Sequence, residues 1–153
     1  MTETPGISVL HVDDDPSFAE LTAEMLSEHG ANFTVETAVD ASEGRSKLAT
    51  ESFDCVVSDY EMPGQNGIEF LETVREEQPD LPFILYTGKG SEAVASDAIA
   101  AGVTDYLQKG SGASQYTVLA NKVRNAVERH RQRERARATR DRLRQIIDLL
   151  PQL

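Results

Sequence analysis

Five short runs rich in β-branched and aromatic residues, each followed by a stretch with helical apolar spacing, constrain this chain more than any other feature. Ile7–Val12 reads as a first strand. Asp15 then caps a helix whose first position is Pro16, where a missing N–H costs nothing. Phe18, Leu21, Met25, Leu26 and His29 share one face of that helix, and Gly30 supplies its stop. Residues 32–38 form a second strand by the same reading. Asp40 and Glu43 stand in capping-box positions for a helix through Leu48. Residues 53–58 are apolar at nearly every position, as suits a strand buried on both faces. The loop 62–67, rich in Pro and Gly, leads to a helix carrying Ile68, Leu71 and Val74. Residues 81–87 are a fourth strand, 91–101 a small-residue helix ending at Gly102, and 103–107 a fifth strand. A long final helix begins near Ser114.

Strands that alternate with helices imply a parallel α/β sheet covered on both faces, because parallel strands need crossover connections. Ligands in such sheets bind outside the carboxyl ends of the strands, where the strand order switches direction. Polar residues stand at those ends. Strand one is followed by Asp13, Asp14 and Asp15, strand three by Asp59, strand four ends in Thr87, and strand five is followed by Lys109. Each alone has a plain structural use: a helix cap, a β-branched filler, a solvated lysine. Together they converge on one edge of one sheet. Two carboxylates about 4 Å apart repel by roughly 4 kcal/mol at an effective dielectric near 20. Lys109 offsets one charge, and the remainder suits a hard, oxygen-preferring cation such as Mg²⁺. A cation held there can grip phosphoryl oxygens, and an Asp carboxylate can act as nucleophile to form an acyl phosphate. Thr87 and Lys109 then offer a hydroxyl and a cation to the new oxygens.

Charge narrows the classes further. Residues 1–121 hold 5 basic and 22 acidic side chains, whereas residues 122–153 hold 10 basic and 4 acidic, within a net charge of −11. An acidic body of this kind also fits a protein that stays hydrated in concentrated salt. Nucleic acid is not the expected partner of the basic tail, because its arginines are interleaved through a helical segment and no recognition fold follows. No apolar run approaches the roughly 20 residues of a membrane span, and the acidic amino terminus does not resemble a secretory signal. The single cysteine, Cys55, reads as a small buried hydrophobe. A cytoplasmic protein is expected.

The motifs Val12-Asp13-Asp14, Ser58-Asp59-Tyr60-Glu61-Met62-Pro63-Gly64 with Gly67, Tyr86-Thr87-Gly88, and Asp105-Tyr106-Leu107-Gln108-Lys109 resemble the receiver domains of two-component response regulators, over residues 7 to about 128. The resemblance implies a flavodoxin-like, doubly wound five-stranded parallel sheet of order 2-1-3-4-5 with an extended C-terminal helix. It implies that Asp59 accepts a phosphoryl group from a histidine kinase and that the chain is a regulatory acceptor rather than an enzyme. Asp14, Asp59 and the backbone carbonyl of Glu61 would ligate Mg²⁺ directly, and Asp13 would act through a metal-bound water. Thr87 and Lys109 would bind the phosphoryl group. Tyr106 would change rotamer as Thr87 is drawn inward, moving the face built from helix four, strand five and helix five. Gly88 would leave the donor a path, and Glu61 and Lys89 occupy positions that tune dephosphorylation. One departure stands out: receivers usually follow this lysine with a cis proline, and here Gly110 follows Lys109. A non-proline cis bond costs about 3 kcal/mol or more, so a trans bond or a rearranged loop is expected.

The resemblance divides the chain into a receiver domain, 1–128, and an Arg-rich signalling helix, 129–153, that leads to a downstream domain. Leu119, Val123, Ala126 and Val127 give the final helix a core-facing stripe. Residues 129–144 carry few apolar side chains and should pack poorly on a domain, and apolar spacing resumes at Leu143, Ile146, Ile147 and Leu150. That run is expected to pair with a second copy, although one heptad register does not hold throughout. The last twelve residues look like the lead-in to a PAS sensor domain, as in a piece of a longer receiver–PAS histidine kinase, whose own kinase module would then be a partner. The competing enzyme class, haloacid-dehalogenase-type phosphatases, would use Asp13 and Asp15 but wants an acidic pair after the lysine, which residues 110–115 lack.

Overall fold

The computed structural model describes residues 6–29, 32–88 and 91–151. Strands and helices alternate along them: β1 Ile7–Val12, α1 Pro16–His29, β2 Phe33–Ala38, α2 Ala41–Thr50, β3 Cys55–Ser58, α3 Gly67–Glu77, β4 Phe83–Thr87, α4 Glu92–Ala100, β5 Asp105–Gln108 and α5 Ser114–Asp148. The strands form one parallel sheet of order β2-β1-β3-β4-β5, the expected doubly wound arrangement.

Side chains alternate across the sheet and split the core in two. Leu10, Val12, Val56, Phe83 and Leu85 meet Phe70, Leu71 and Val74 of α3 and Ala98 of α4. On the other face Val9, Cys55, Val57, Ile84 and Tyr86 meet Leu26 of α1 and Leu119, Val123 and Val127 of α5. Every residue of β3 is buried, which explains its unbroken apolar run.

The structure departs from the sequence reading at several edges. Strands β3, β4 and β5 begin two residues later than their apolar runs, because Phe53, Leu81 and Val103 pack from the preceding turns. The buried stripe of α1 is Ala19, Thr22 and Leu26, while Leu21 is 45% exposed. Glu43 does not close a capping box: its carboxylate reaches the Val39 N–H, and Asp40 alone accepts from Glu43 N. A complete box stands instead at α3, where Asn66 and Glu69 satisfy each other's backbone N–H groups. Gly30, the expected stop of α1, lies outside the described residues.

Helix α5 is one continuous element of 35 residues, about 52 Å long at 1.5 Å per residue. Its first half buries Tyr116, Leu119, Ala120, Val123, Ala126 and Val127, the stripe foreseen from spacing. Beyond Val127 it is mostly exposed, yet it does not leave the body at once. Arg131 donates to the Gly6 carbonyl at 2.7 Å and pairs with Asp54 at 3.3 Å, and Arg137 reaches Asp80 at 3.5 Å. These partners precede β1, β3 and β4, so the helix crosses the amino-terminal pole of the sheet. No helix among the described residues is long and apolar enough to cross a membrane.

Candidate phosphoryl-acceptor site

The sheet register sets the site. Val12 is level with Ser58 across β1 and β3, so Asp13 and Asp59 leave the two strands side by side. The ladder runs one residue further on each side: Asp13 N donates to the Ala38 carbonyl, Asp59 N to Val12, and Lys109 N to Thr87, at 2.8–3.0 Å. Backbone pairing thus fixes three candidate site residues before their side chains contribute.

The side chains then converge. The Lys109 ammonium lies 2.8 Å from Oδ2 of Asp13 and 3.4 Å from Oδ2 of Asp59. The other oxygens are held by backbone donors, Asp15 N on Asp13 and Tyr60 N on Asp59, at 2.9 and 2.8 Å. The Thr87 side chain also favours the charged form of the Asp59 carboxylate. Asp13 and Thr87 are buried, Asp59 is 7% exposed, and Asp14 stands at the open rim. Burial pushes the Asp59 carboxyl above its ordinary range; Lys109 opposes that shift and the Asp13 charge adds to it.

The donor set fits a divalent cation of the Mg²⁺ kind. One carboxylate oxygen from each of Asp13, Asp14 and Asp59 lies within 4.8 Å of those of the other two. One ammonium cannot neutralise three carboxylates, and hard oxygen donors are what such an ion takes. Glu61 lies exposed next to this loop. Lys89 falls outside the described residues.

Several supporting residues escaped the sequence reading. The rings of Phe18 and Tyr86 cradle the Lys109 ammonium, with centroids 4.2 and 6.0 Å away, and the Tyr86 hydroxyl bonds Gln115. Aromatic residues at core spacing carry no sign of such a use. His11, fully buried, has no well-formed hydrogen bond to either ring nitrogen and lies 3.9 Å from Asp13. Burial lowers its pKa to about 4, with Asp13 opposing. Gly67 has the tightest surroundings: a Cβ there would sit 2.2 Å from the Asp59 carbonyl. Its lack of a side chain lets the loop after β3 fold back, with Gly67 N bonded to the Tyr60 carbonyl at 2.7 Å.

The Gly110 departure leaves Lys109 in place. No cis peptide occurs among the described residues, and the lysine still reaches both carboxylates. Residues 110–113 form an exposed turn with Gly112 at φ +82°, and α5 starts without a side-chain cap. Tyr106 is half-buried against the α3–α4 core, its hydroxyl buried with no hydrogen-bond partner. Gly88 faces open space, its nearest prospective neighbour being Lys109 Cδ at 3.9 Å.

A doubly wound α/β domain with a lysine-bridged carboxylate cluster at its carboxyl pole defines a class of phosphoryl-accepting switches. Residues 9–121 match the family model of the response regulator receiver domain, and the chain belongs to that family. Among curated relatives, it is 34% identical over 110 residues to the photosynthetic apparatus regulatory protein RegA of Cereibacter sphaeroides, covering 72% of this chain and 59% of RegA. It is 36% identical over 98 residues to the transcriptional regulatory protein FixJ of Bradyrhizobium diazoefficiens, covering 64% and 47% respectively. The chain therefore spans about half the length of these relatives. A CheY-like receiver domain protein from Methanospirillum hungatei superposes with a TM-score of 0.75 at 26% identity, over 84% of this chain and 99% of that one. The chain is thus a receiver domain of two-component signalling, and RegA and FixJ are regulatory proteins.

Proposed function

We propose that Asp59 is the phosphoryl acceptor. The supporting observation is the shared hold on its carboxylate: Lys109 contacts it, Thr87 favours its charged form, and oxygens of Asp13 and Asp14 lie close by. In transfer from a phosphohistidine, an Asp59 oxygen forms the new O–P bond, the N–P bond breaks, and the electron pair returns to the imidazole. Lys109, held by Asp13 and by two aromatic rings, stays beside the developing negative charge. Thr87 turns its hydroxyl to a phosphoryl oxygen. Asp13, Asp14 and Asp59, with the Glu61 backbone carbonyl, would hold Mg²⁺, which when bound neutralises charge and binds phosphoryl oxygens. Tyr106 responds to the movement of Thr87 and carries the change to the face of α4, β5 and α5.

The partners on this reading are a histidine kinase, separate or downstream in a longer chain, and a second copy meeting through α5, in the cytoplasm. The likeness of the sequence 142–153 to the lead-in of a PAS domain supports a receiver–PAS parent. Incubation with acetyl phosphate and Mg²⁺ tests the acceptor. Asp59→Asn is expected to abolish acid-labile incorporation, and full labelling of that variant would move the site elsewhere. Steady hydrolysis of small phosphate esters that survives Asp59→Asn and vanishes in Asp13→Asn would make the chain a phosphatase.

A further inference from the structure

A second concave site lies at the pole of the sheet opposite Asp59. A cavity of about 290 Å³ opens between α5 and the loops that precede β4 and β5, and its walls include Asp80, Pro82, Thr104, Arg129, His130 and Arg133. Seven lysines and arginines stand on α5 between residues 122 and 137. Five of them are engaged: Lys122 by Asp105, Arg124 by the His29 carbonyl, Arg131 by Asp54, Arg135 by Glu128 and Arg137 by Asp80. The other two, Arg129 and Arg133, make no hydrogen bond or ion pair among the described residues, and they are the two that line the cavity. His130, half-buried on the same wall, is likewise unengaged. The body beneath carries 22 acidic side chains against 5 basic in residues 1–121, so unpaired arginines against it are out of keeping. Asp80, the carboxylate on the wall, is 3.5 Å from Arg137 and takes neither of them.

Residues four apart on a helix have Cβ atoms about 5–6 Å apart, so the guanidinium forks of Arg129 and Arg133 can close on one group from two sides. Each fork offers paired donors to a carboxylate or a phosphate. Thr104 adds a hydroxyl. Its Oγ1 accepts from Phe83 N at 2.9 Å and from Arg75 Nη2 at 3.4 Å, and it gives its own proton to nothing among the described residues. We propose that this cavity binds a small organic anion with at least two negative charges, a phosphate ester or a polycarboxylate, between Arg129 and Arg133. The volume stands at the lower end for small-molecule sites, which suits such an anion better than a polymer. Asp80 opposes the ligand; Arg137 offsets that charge in part, and two free guanidiniums outweigh the rest. The site is complete only while α5 lies on the body, because one wall is helix and the other is loops. A bound anion therefore fastens the helix between the contacts of Arg131 and Arg137 and favours the docked form by mass action. The hold on the helix that leaves the receiver then depends on a small anion, and none of this depends on Asp59.

Titration calorimetry of the whole chain with pyrophosphate and with citrate, at constant ionic strength and without Mg²⁺, reads the site. At least one probe is expected to bind with a dissociation constant below about 1 mM. Tighter binding of pyrophosphate assigns the site to phosphate esters, and tighter binding of citrate to polycarboxylates. Combining Arg129→Gln with Arg133→Gln should weaken the tighter probe at least about tenfold, as the loss of charge-assisted bonds requires. Arg135→Gln, outside the cavity and paired with Glu128, should leave it unchanged. Both cavity arginines are exposed, so the double variant should melt within about 2 °C of the original chain. In amide hydrogen exchange the bound anion should protect residues 129–138 and leave the loop after Asp59 as it was. No binding of either probe up to about 10 mM overturns the proposal. So does binding that survives the double variant, or protection that appears around Lys109 instead of along α5.

Discussion

The carboxyl pole of the sheet and the distal half of α5 solve opposite problems. At the pole, the backbone ladder delivers Asp13, Asp59 and Lys109 to one place, and their charges make that place costly: two buried carboxylates share one ammonium. On distal α5 the sequence makes a good helix with little to pack against, and Leu143, Ile146 and Ile147 stay exposed on it. One region is held in an unfavourable state by everything around it; the other is favourable locally and unclaimed globally. Function in the first depends on position, whereas in the second it depends on what covers it. Substitutions should therefore be felt sharply near the pole and hardly at all along the distal helix.

The largest expected contrast is at Gly67. Gly67→Ala places a methyl group 2.2 Å from the Asp59 carbonyl and 2.8 Å from Leu85 Cδ1, so backbone must shift. A loss of about 3 kcal/mol is expected, at the upper end for overpacking. Urea unfolding measures it, and a loss below 1 kcal/mol would mean that the loop is not pinned as described. A second contrast lies within α5. Leu119→Ala removes a fully buried side chain and should cost about 2–4 kcal/mol. Leu143→Ala removes an exposed one and should stay within about 0.5 kcal/mol at low salt. Equal losses would show that the two halves of the helix are not the different environments described.

How much of this was legible in the sequence follows the same division. The acidic residues, Thr87 and Lys109 could be placed because each sits at or just past the carboxyl end of a strand, where the parallel-sheet rule puts ligands. What surrounds them was not legible. Phe18 and Tyr86 read as ordinary core aromatics, and only the fold brings them over Lys109. Nothing in a lone histidine at position 11 announces its burial beside Asp13. Gly67 was visible in the motif, but not its steric reason. Strand starts slipped because apolar residues in turns look like strand residues until hydrogen bonds are known. In the tail, the low apolar content of residues 129–144 hid three polar contacts, from Arg131 to Gly6 and Asp54 and from Arg137 to Asp80.

Asp59→Asn sharpens the claim that the pole is costly. Because burial raises its pKa in the folded state, the native protein binds that proton more tightly than the unfolded chain does. Stability is then lost as pH rises from the ordinary carboxylate value through the folded one, and the full penalty applies at neutral pH. Without Mg²⁺ at pH 7, Asp59→Asn should raise Tm by roughly 2–4 °C, the shift that about 1 kcal/mol produces in a chain of this size. The advantage should shrink toward pH 3.8, and Mg²⁺ should stabilise the original chain more than the variant. A variant less stable at pH 7 would show that the support from Lys109, Thr87 and Tyr60 outweighs the burial.

The smallest effect tests where one region gives way to the other. Arg131 and Asp54 are partly exposed, at 23% and 35% for their side chains, so solvent weakens their ion pair and the whole contact is expected to contribute under about 1 kcal/mol. Its position matters more than its size. The Gly6 carbonyl precedes β1, and Asp54 Oδ2 also accepts from Ser8 N at 2.8 Å, so one guanidinium ties α5 to the starts of two central strands. If that contact holds the helix against the body beyond Val127, Arg131→Ala should speed amide hydrogen exchange of residues 132–138 severalfold. Residues 143–148, all of them exposed, should exchange as before. Uniform acceleration along the distal helix would mean that it frays as a single unit. No change at all would mean that helix propensity alone sustains these turns, and the working boundary between body and tail would then fall at Val127 rather than near Arg137.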